Sequence, residues 1–268
     1  MLKLAIVTAT TNPARAKACL DSWAEHATLR GTRLFVVENG LDDLPYAGSV
    51  PAFEQGVNEA LDTDADVIAC LHDDLTIHEQ GWDMQVIQAF TRFPDVGLAG
   101  FGGAIGLGAD GIYREPYDPM QLARMGFRSN LSDAEHHGIR RTYAEEVVCL
   151  DGFSQIGRRG FFLGESRLTV EPQPRPWTHL KQLGFVHHFY DSALGCLARR
   201  QGWTVRFLPV RCTHHGGQTA VGDPGYQAWA ATQTEGGDRG FWESAHRIGY
   251  DEFRDVLPLR LHRAFYAT

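Results

Sequence analysis

The sequence predicts an α/β fold, a largely parallel sheet flanked by helices, followed by a C-terminal helical extension. Three observations carry this. Apolar, β-branched runs of strand length alternate with segments whose apolar residues recur at helical spacing. Cap and turn residues stand at the boundaries. The strand-like runs are continuous in their apolar character, as in strands covered on both faces.

Taken in order, residues 3–10 predict the first strand. Asn12-Pro13 follows as a helix cap with proline at the first helical position, and Ala16, Leu20, Trp23 and Ala27 share one face of the helix beyond it. Residues 33–38 predict the second strand, which ends at the turn signal Asn39-Gly40. Residues 51–61 then carry Phe53, Val57, Ala60 and Leu61 on one helical face. A third strand is expected at residues 66–71, a third helix at 80–93, and a fourth strand at 96–100 after the Pro94-Asp95 break. Strands alternating with helices in this way imply right-handed crossovers and a parallel sheet. From Phe101 to about Tyr143 the periodicity fails, which predicts a long loop region. Pattern returns as a strand at 146–150, a helix at 191–201 and a strand at 204–209. A helical tail is expected over residues 226–263, with Trp229, Phe241, Trp242, Phe253, Leu257 and Leu261 at helical spacing.

The chain has 268 residues, 43% of them hydrophobic and 22% charged, which excludes disorder, collagen and coiled coil and permits a full core without disulfides. Five scattered cysteines without a Cys-x-x-Cys pair read as reduced core thiols. The longest apolar stretches are strand-sized, far short of the roughly 20 residues that cross a bilayer. The N-terminus reads as a first strand and not as a signal peptide, so a cytoplasmic location is expected. The net charge of −8 is uneven: residues 1–110 hold 6 Lys/Arg against 16 Asp/Glu, and that acidic half suits a cation. No basic surplus appears, which argues against nucleic acid as the main partner.

His72-Asp73-Asp74 stands where the third strand runs out. In a parallel α/β sheet, ligands bind at the carboxyl ends of the strands, and paired carboxylates there suit Mg²⁺ or Mn²⁺. The bland alternative is a solvated turn capping the next helix. A second run, residues 207–217, ends in His214-His215-Gly216-Gly217, an imidazole ligand beside backbone free to approach phosphate; a surface His-His pair is the competing reading. Asp191 opens a helix pattern and on its own reads as an N-cap. Asp151-Gly152-Phe153 reads as a turn, followed by solvated Arg158-Arg159. Residues 106–111 match Gly-x-Gly-x-x-Gly but do not link the first strand to its helix, so they are a flexible loop and not a dinucleotide motif.

In this order the features resemble the family 2 type glycosyltransferases of GT-A fold, nearest the subgroup whose metal motif reads His-x-Asp-Val. The motif here is Leu71-His72-Asp73-Asp74-Leu75. The likeness spans roughly residues 3–217. It includes residues 5–10, Val36-Val37-Glu38-Asn39-Gly40, Ala52-Phe53 with Gly56 and Asn58, and residues 96–100. It continues in Leu150-Asp151-Gly152-Phe153, His188-Phe189-Tyr190-Asp191, and Leu208-Pro209-Val210 with His214.

The resemblance implies a Rossmann-like GT-A domain at residues 1–217, with a mixed, mainly parallel sheet, and a helical extension at 218–268 packed on it. It implies a metal-dependent inverting glycosyltransferase that uses a nucleoside-diphosphate sugar and Mn²⁺ or Mg²⁺. Thr8, Thr10, Glu38 and Asn58 would then lie along the donor, with Asp73, Asp151 and Gly152. Asp74, His214 and His72 would hold the metal, with His215 an alternative to its neighbour, and Asp191 would be the general base. Glu38 stands where Asp is more usual, and the Arg often found shortly before the position of Asn58 is missing.

Tyr113, Arg114 and Tyr117 are candidates for a segment folding over the donor, and Trp177 for stacking on an acceptor sugar. The acceptor is a glycan, a lipid-linked sugar, a protein or a small molecule, with a DNA nucleobase disfavoured by the charge balance. The tail's aromatics read as core or homodimer contacts, while Arg260, His262 and Arg263 beside Leu257, Leu259 and Phe265 permit peripheral membrane attachment. Three rivals remain. A sugar-phosphate nucleotidyltransferase would use residues 8–15, ending in Arg15, as a poor phosphate loop. A sugar-nucleotide or glycan-binding module would keep the fold without chemistry. A zinc hydrolase would use His72, Asp73, Asp74, His214 and His215.

Overall fold

The computed structural model describes residues 1–39, 46–108, 127–131, 138–216, 223–259 and 261. The chain begins with β1 (Leu4–Thr10), α1 (Pro13–His26), β2 (Arg33–Glu38), α2 (Ser49–Leu61), β3 (Val67–Leu71), β4 (Leu75–Ile77), α3 (Trp82–Arg92) and β5 (Val96–Gly100). Short strands follow: β6 (Gly102–Ala104), β7 (Phe127–Ser129), β8 (Ile139–Arg140), β9 (Glu145–Val147) and β10 (Cys149–Leu150). The chain continues through β11 (Ser154–Arg158), α4 (Arg159–Phe162), α5 (Pro176–Gln182), α6 (Tyr190–Arg200), β12 (Thr204–Phe207) and β13 (Cys212–His214). Helices α7 (Pro224–Gln233) and α8 (Asp238–Phe253) complete the described elements.

Seven strands form the central sheet in the order β2-β1-β3-β11-β5-β12-β9. β1 pairs in parallel with β2 and β3, and β5 with β12, while β11 and β9 run against their neighbours. This is the mixed, mainly parallel, Rossmann-like sheet flanked by helices that the resemblance implies. The continuous apolar run of β3 is wholly buried, as expected of a strand covered on both faces. Asn12 caps α1 through its side-chain oxygen, which accepts from the Arg15 amide at 3.1 Å. Helix α2 sits tightly on β1 because Gly56 has no Cβ; one there would fall 2.3 Å from Val7. From β1 the chain steps to β2 on one side and returns as β3 on the other. The carboxyl ends of β1 and β3 therefore flank a topological switch point, where α/β sheets bind ligands.

Several expectations are corrected. The irregular stretch from Phe101 to Tyr143 contains β6, β7 and β8, which join β10 in a second, four-stranded sheet. The strand expected at 146–150 is two strands. β9 pairs with β12 in the large sheet, Val148 donates to the Ala104 carbonyl at 2.8 Å, and β10 pairs with β6 in the small one. The expected third helix is shorter, starting at Trp82, because Gly81 ahead of it takes a left-handed conformation (φ 73°). The tail is helical as expected, and among the described residues it is divided into two helices, α7 and α8. The five cysteines are free and buried, and no helix among the described residues is long and apolar enough to cross a membrane.

Arg158 and Arg159 are not solvated. Arg158 donates to the carbonyls of Phe90 and Phe93 at the end of α3 and of Val96 at the start of β5, at 2.7–3.2 Å. Arg159 does the same at the end of α2, to Leu61, Thr63 and Ala65 at 2.7–3.2 Å. Both guanidiniums occupy the negative ends of helix dipoles and satisfy carbonyls left over by the helices. Because charged hydrogen bonds contribute about 1.5–3 kcal/mol each to stability where partly buried, Arg159→Met is expected to lower unfolding free energy by about 2 kcal/mol or more. Chemical denaturation measures the loss, and Arg159→Lys should recover only part of it, since an ammonium does not fork to three carbonyls.

Candidate metal centre

His72, Asp73 and Asp74 leave the end of β3 and point in different directions. The turn is fixed by backbone bonds: the His72 amide donates to the Phe153 carbonyl at 3.0 Å and the Leu75 amide to the His72 carbonyl at 3.3 Å. Beyond it, β4 pairs antiparallel with β13, with His214 opposite Leu75. The His215 amide donates to the Asp74 carbonyl at 3.0 Å. This ribbon brings His214 from far along the chain to Asp74.

One ligand atom each from His72, Asp74 and His214 lies within 4.8 Å of the others. Asp74 Oδ1 stands 3.3 Å from His214 Nε2 and 3.7 Å from His72 Nδ1. Asp74 is 5% exposed, and Oδ1 is buried without a hydrogen bond. Phe153 stacks on the His214 ring at 4.6 Å between centroids, and Phe53 lies parallel to the His72 ring at 6.1 Å.

Burial pushes His72 down to about 4, against the pull of Asp74, so the imidazole is neutral near pH 7. Burial acts to raise Asp74, but the close contact with His214 and the charges of His72, His214 and Arg15 outweigh it and bring the group to about 2. An ionised carboxylate with one orphaned oxygen, between the neutral His72 imidazole and the His214 ring, is a donor set that fits a divalent cation. His215, one residue past β13, lies outside the cluster, with its Nε2 3.3 Å from Thr76 Oγ1.

Asp73 turns the other way. Its carboxylate accepts from Thr10 Oγ1 at 2.6 Å and from one Arg15 nitrogen at 3.0 and 2.8 Å. It is thus tied to the β1–α1 turn and lies outside the three-residue cluster. Thr10 also accepts from the Asn12 amide at 2.9 Å. Thr8 is fully buried within β1, and its hydroxyl oxygen makes no hydrogen bond.

Glu38 and Asn58 meet elsewhere. Both line a cleft of about 850 Å³ beside α2, together with Asn39, Glu59, Asp62 and the Glu54–Lys181 pair. Asn58 accepts from Arg175 there at 3.1 Å.

Asp191, Asp151 and Gly152 gather around Tyr190, whose phenol is held protonated first by burial and then by the charges of Asp191, Asp151 and Asp74. Asp191 is not an N-cap. Phe189 occupies that position with φ 67°, and Asp191 lies in the first turn of α6, where its Oδ1 accepts from the Ser192 amide at 2.8 Å. Gly152 admits the Tyr190 side chain, because a Cβ there would fall 2.5 Å from the phenol oxygen.

Trp177 is 2% exposed and packs on Phe53 and Tyr190 at 5.3 and 5.6 Å, so it is core and not a stacking surface for a sugar. Tyr113, Arg114, Tyr117, Gly217, Arg260, His262, Arg263 and Phe265 lie outside the described residues. Two residues were underweighted by sequence: Arg15 and Tyr190. Their only signals were positional, Arg15 at the first strand–helix turn and Tyr190 beside Asp191.

No family model matches the chain, and no curated protein matches it. Among solved structures it is similar to A197 from STIV, at 12% identity and a TM-score of 0.45, over 78% of this chain and 82% of that one. It is also similar to the mannosyltransferase PcManGT from Pyrobaculum calidifontis in complex with GDP-Man and Mn²⁺. There the identity is 14% and the TM-score 0.40, over 92% of this chain and 69% of that one.

Next to the centre, His187 shares a 2.7 Å hydrogen bond with Ser49 and packs on Tyr226. Burial, reinforced by His188, lowers it to about 3. A histidine depressed in the folded state contributes fully above its ordinary value of about 6.5 and loses that contribution as pH falls toward 3. Folding stability is therefore expected to drop between pH 6.5 and 4. In His187→Gln, which takes up no proton, the slope over that window should be shallower when unfolding is measured at a series of pH values.

Proposed function

We propose that this chain is a metal-dependent inverting glycosyltransferase, moving a sugar from a nucleoside-diphosphate sugar to an acceptor hydroxyl. The observation that carries the reading is the convergence of His72, Asp74 and His214 at the carboxyl end of β3, in a chain whose motifs follow the glycosyltransferase order. Two imidazoles and one carboxylate form a softer set than an all-oxygen site, so Mn²⁺ is preferred over Mg²⁺. When bound, the cation supplies positive charge against the diphosphate leaving group.

The chain's own residues supply the rest. Asp191 accepts the proton of the acceptor hydroxyl as its oxygen bonds to the anomeric carbon, on the face opposite the departing nucleoside diphosphate. The carbon–oxygen bond to the diphosphate breaks, and the sugar inverts. Glu38 and Asn58 face the nucleoside from the cleft beside α2, while Asp151 and Gly152 border the sugar. Thr10 and Asp73 act through the β1–α1 turn that they hold in shape, with Thr8 buried behind it in β1. The nucleotidyltransferase reading is disfavoured by Arg15, which is clamped by Asp73 and not presented to a phosphate.

The two imidazoles also favour a second reading, a zinc hydrolase. A thermal-shift titration separates them, because a ligand that binds only the folded state raises apparent stability, by about 2.7 kcal/mol at 100 times its dissociation constant. One family of nucleoside diphosphates should raise the melting temperature in the presence of Mn²⁺. Asp74→Ala should abolish that Mn²⁺-dependent shift. Asp191→Asn should keep it while lowering sugar transfer by about 10²–10⁴-fold. A shift with Zn²⁺ alone, and none with any nucleotide, replaces the glycosyltransferase reading with the hydrolase.

A further inference from the structure

Tyr190 opens α6 and is buried, yet its hydroxyl reaches two other elements. The oxygen lies 2.7 Å from His72 Nε2, and the hydroxyl donates to the Gly152 carbonyl at 3.3 Å. A phenol has one proton to give. If it goes to Gly152, the oxygen accepts from His72 Nε2–H, and the neutral imidazole turns an Nδ1 lone pair toward Asp74. If it goes to His72 Nε2, then Nδ1 carries a hydrogen toward Asp74 Oδ1 at 3.7 Å, beyond hydrogen-bond range. The Gly152 carbonyl then also loses its donor. The first assignment satisfies more polar atoms. It leaves two acceptors facing each other, His72 Nδ1 and Asp74 Oδ1, with His214 Nε2 3.3 Å from the same oxygen. The lone pairs of His72 Nδ1 and Asp74 Oδ1 repel each other there, and a cation between them relieves that repulsion.

We propose that Tyr190 is a positioning residue that holds His72 in the Nε2–H tautomer, presenting Nδ1 as a metal ligand and tying it to the helix that carries Asp191. The inference rests on the metal reading above. Outer groups that fix a ligating histidine are typically worth 10–100-fold in metal affinity. Gly152 belongs to the same device, since any side chain there displaces the phenol.

The test is Mn²⁺ binding by the purified chain, read from the electron paramagnetic resonance signal of free Mn²⁺, which needs neither donor nor acceptor. Tyr190→Phe should weaken binding about 10–100-fold, and Gly152→Ala should weaken it in the same direction. In a His72→Ala background, Tyr190→Phe should cost nothing further, because the two act through one ligand. A merely structural role gives losses that add. Nitrogen-15 shifts of the His72 ring in the metal-free wild type give a reading that needs no variant: protonated Nε2 and bare Nδ1 are expected, and protonated Nδ1 overturns the inference. Wild-type affinity in a folded Tyr190→Phe overturns it too while leaving the metal reading intact. No Mn²⁺ binding by the wild type overturns both.

Discussion

A carboxylate at the end of a fully apolar strand has few stable surroundings, and Asp74 sets the terms for the residues around it. It is buried and ionised, and one oxygen makes no hydrogen bond. Such a group needs a compensating charge or donors. The nearby guanidinium of Arg15 is already engaged, because one of its nitrogens donates to both oxygens of Asp73. Adjacent carboxylates have thus been given opposite environments. Asp73 is neutralised by a cation built into the chain, and Asp74 is left facing the imidazoles of His72 and His214. A second internal arginine would have produced a closed ion pair and no site. The asymmetry between neighbours, and not the pairing of carboxylates as such, makes the end of β3 a candidate metal centre.

That asymmetry depends on strands that carry no chemistry. β11 inserts antiparallel between β3 and β5, so its preceding turn delivers Gly152 and Phe153 beside His72 and His214. The β4–β13 ribbon then returns the chain to Asp74 from well over a hundred residues away. The guanidiniums of Arg158 and Arg159, at the far end of β11, fasten the ends of α3 and α2 to the same strand. One strand therefore anchors two helices at one end and borders the site at the other.

The contrast between what the sequence revealed and what it hid follows the range of the interactions. β1, α1 and β3 were legible because local periodicity and an Asn-Pro cap specify them within a dozen residues. β11 was not, because Ser154-Gln155-Ile156-Gly157-Arg158 has neither an apolar run nor clean alternation. Its Gly157 is needed so that Phe162 can lie against the strand, where a Cβ would fall 2.2 Å from the ring. The split of residues 146–150 was hidden for a related reason: the run is apolar throughout, and only its partners show that it changes sheets at Val148. His72, Asp74 and His214 were legible as strand-end residues within an ordered series of motifs. The parts played by Tyr190 and Arg15 were not, since each arises from contacts across 118 and 58 residues.

Charge accounting links the centre to the proposed chemistry. Asp73 and Arg15 cancel, the His72 imidazole is neutral near pH 7, and Asp74, Asp151 and Asp191 remain around one tyrosine. The bare centre is therefore net negative, and a nucleoside diphosphate approaching it meets like charge at short range in a partly dry site, where repulsion is poorly screened. Glu38, Glu59 and Asp62 extend the same sign into the cleft beside α2, offset by Lys181, which is itself paired with Glu54. β2 and β3 flank β1, so the ends that carry Glu38 and Asp74 stand about two strand spacings apart, or about 10 Å. A donor spanning that interval would have its base at one end and its diphosphate over the acidic centre. A divalent cation seated on His72, Asp74 and His214 would offset most of that negative charge where the diphosphate arrives. In the proposed reading, metal is thus a condition of donor binding before it is a participant in the transfer.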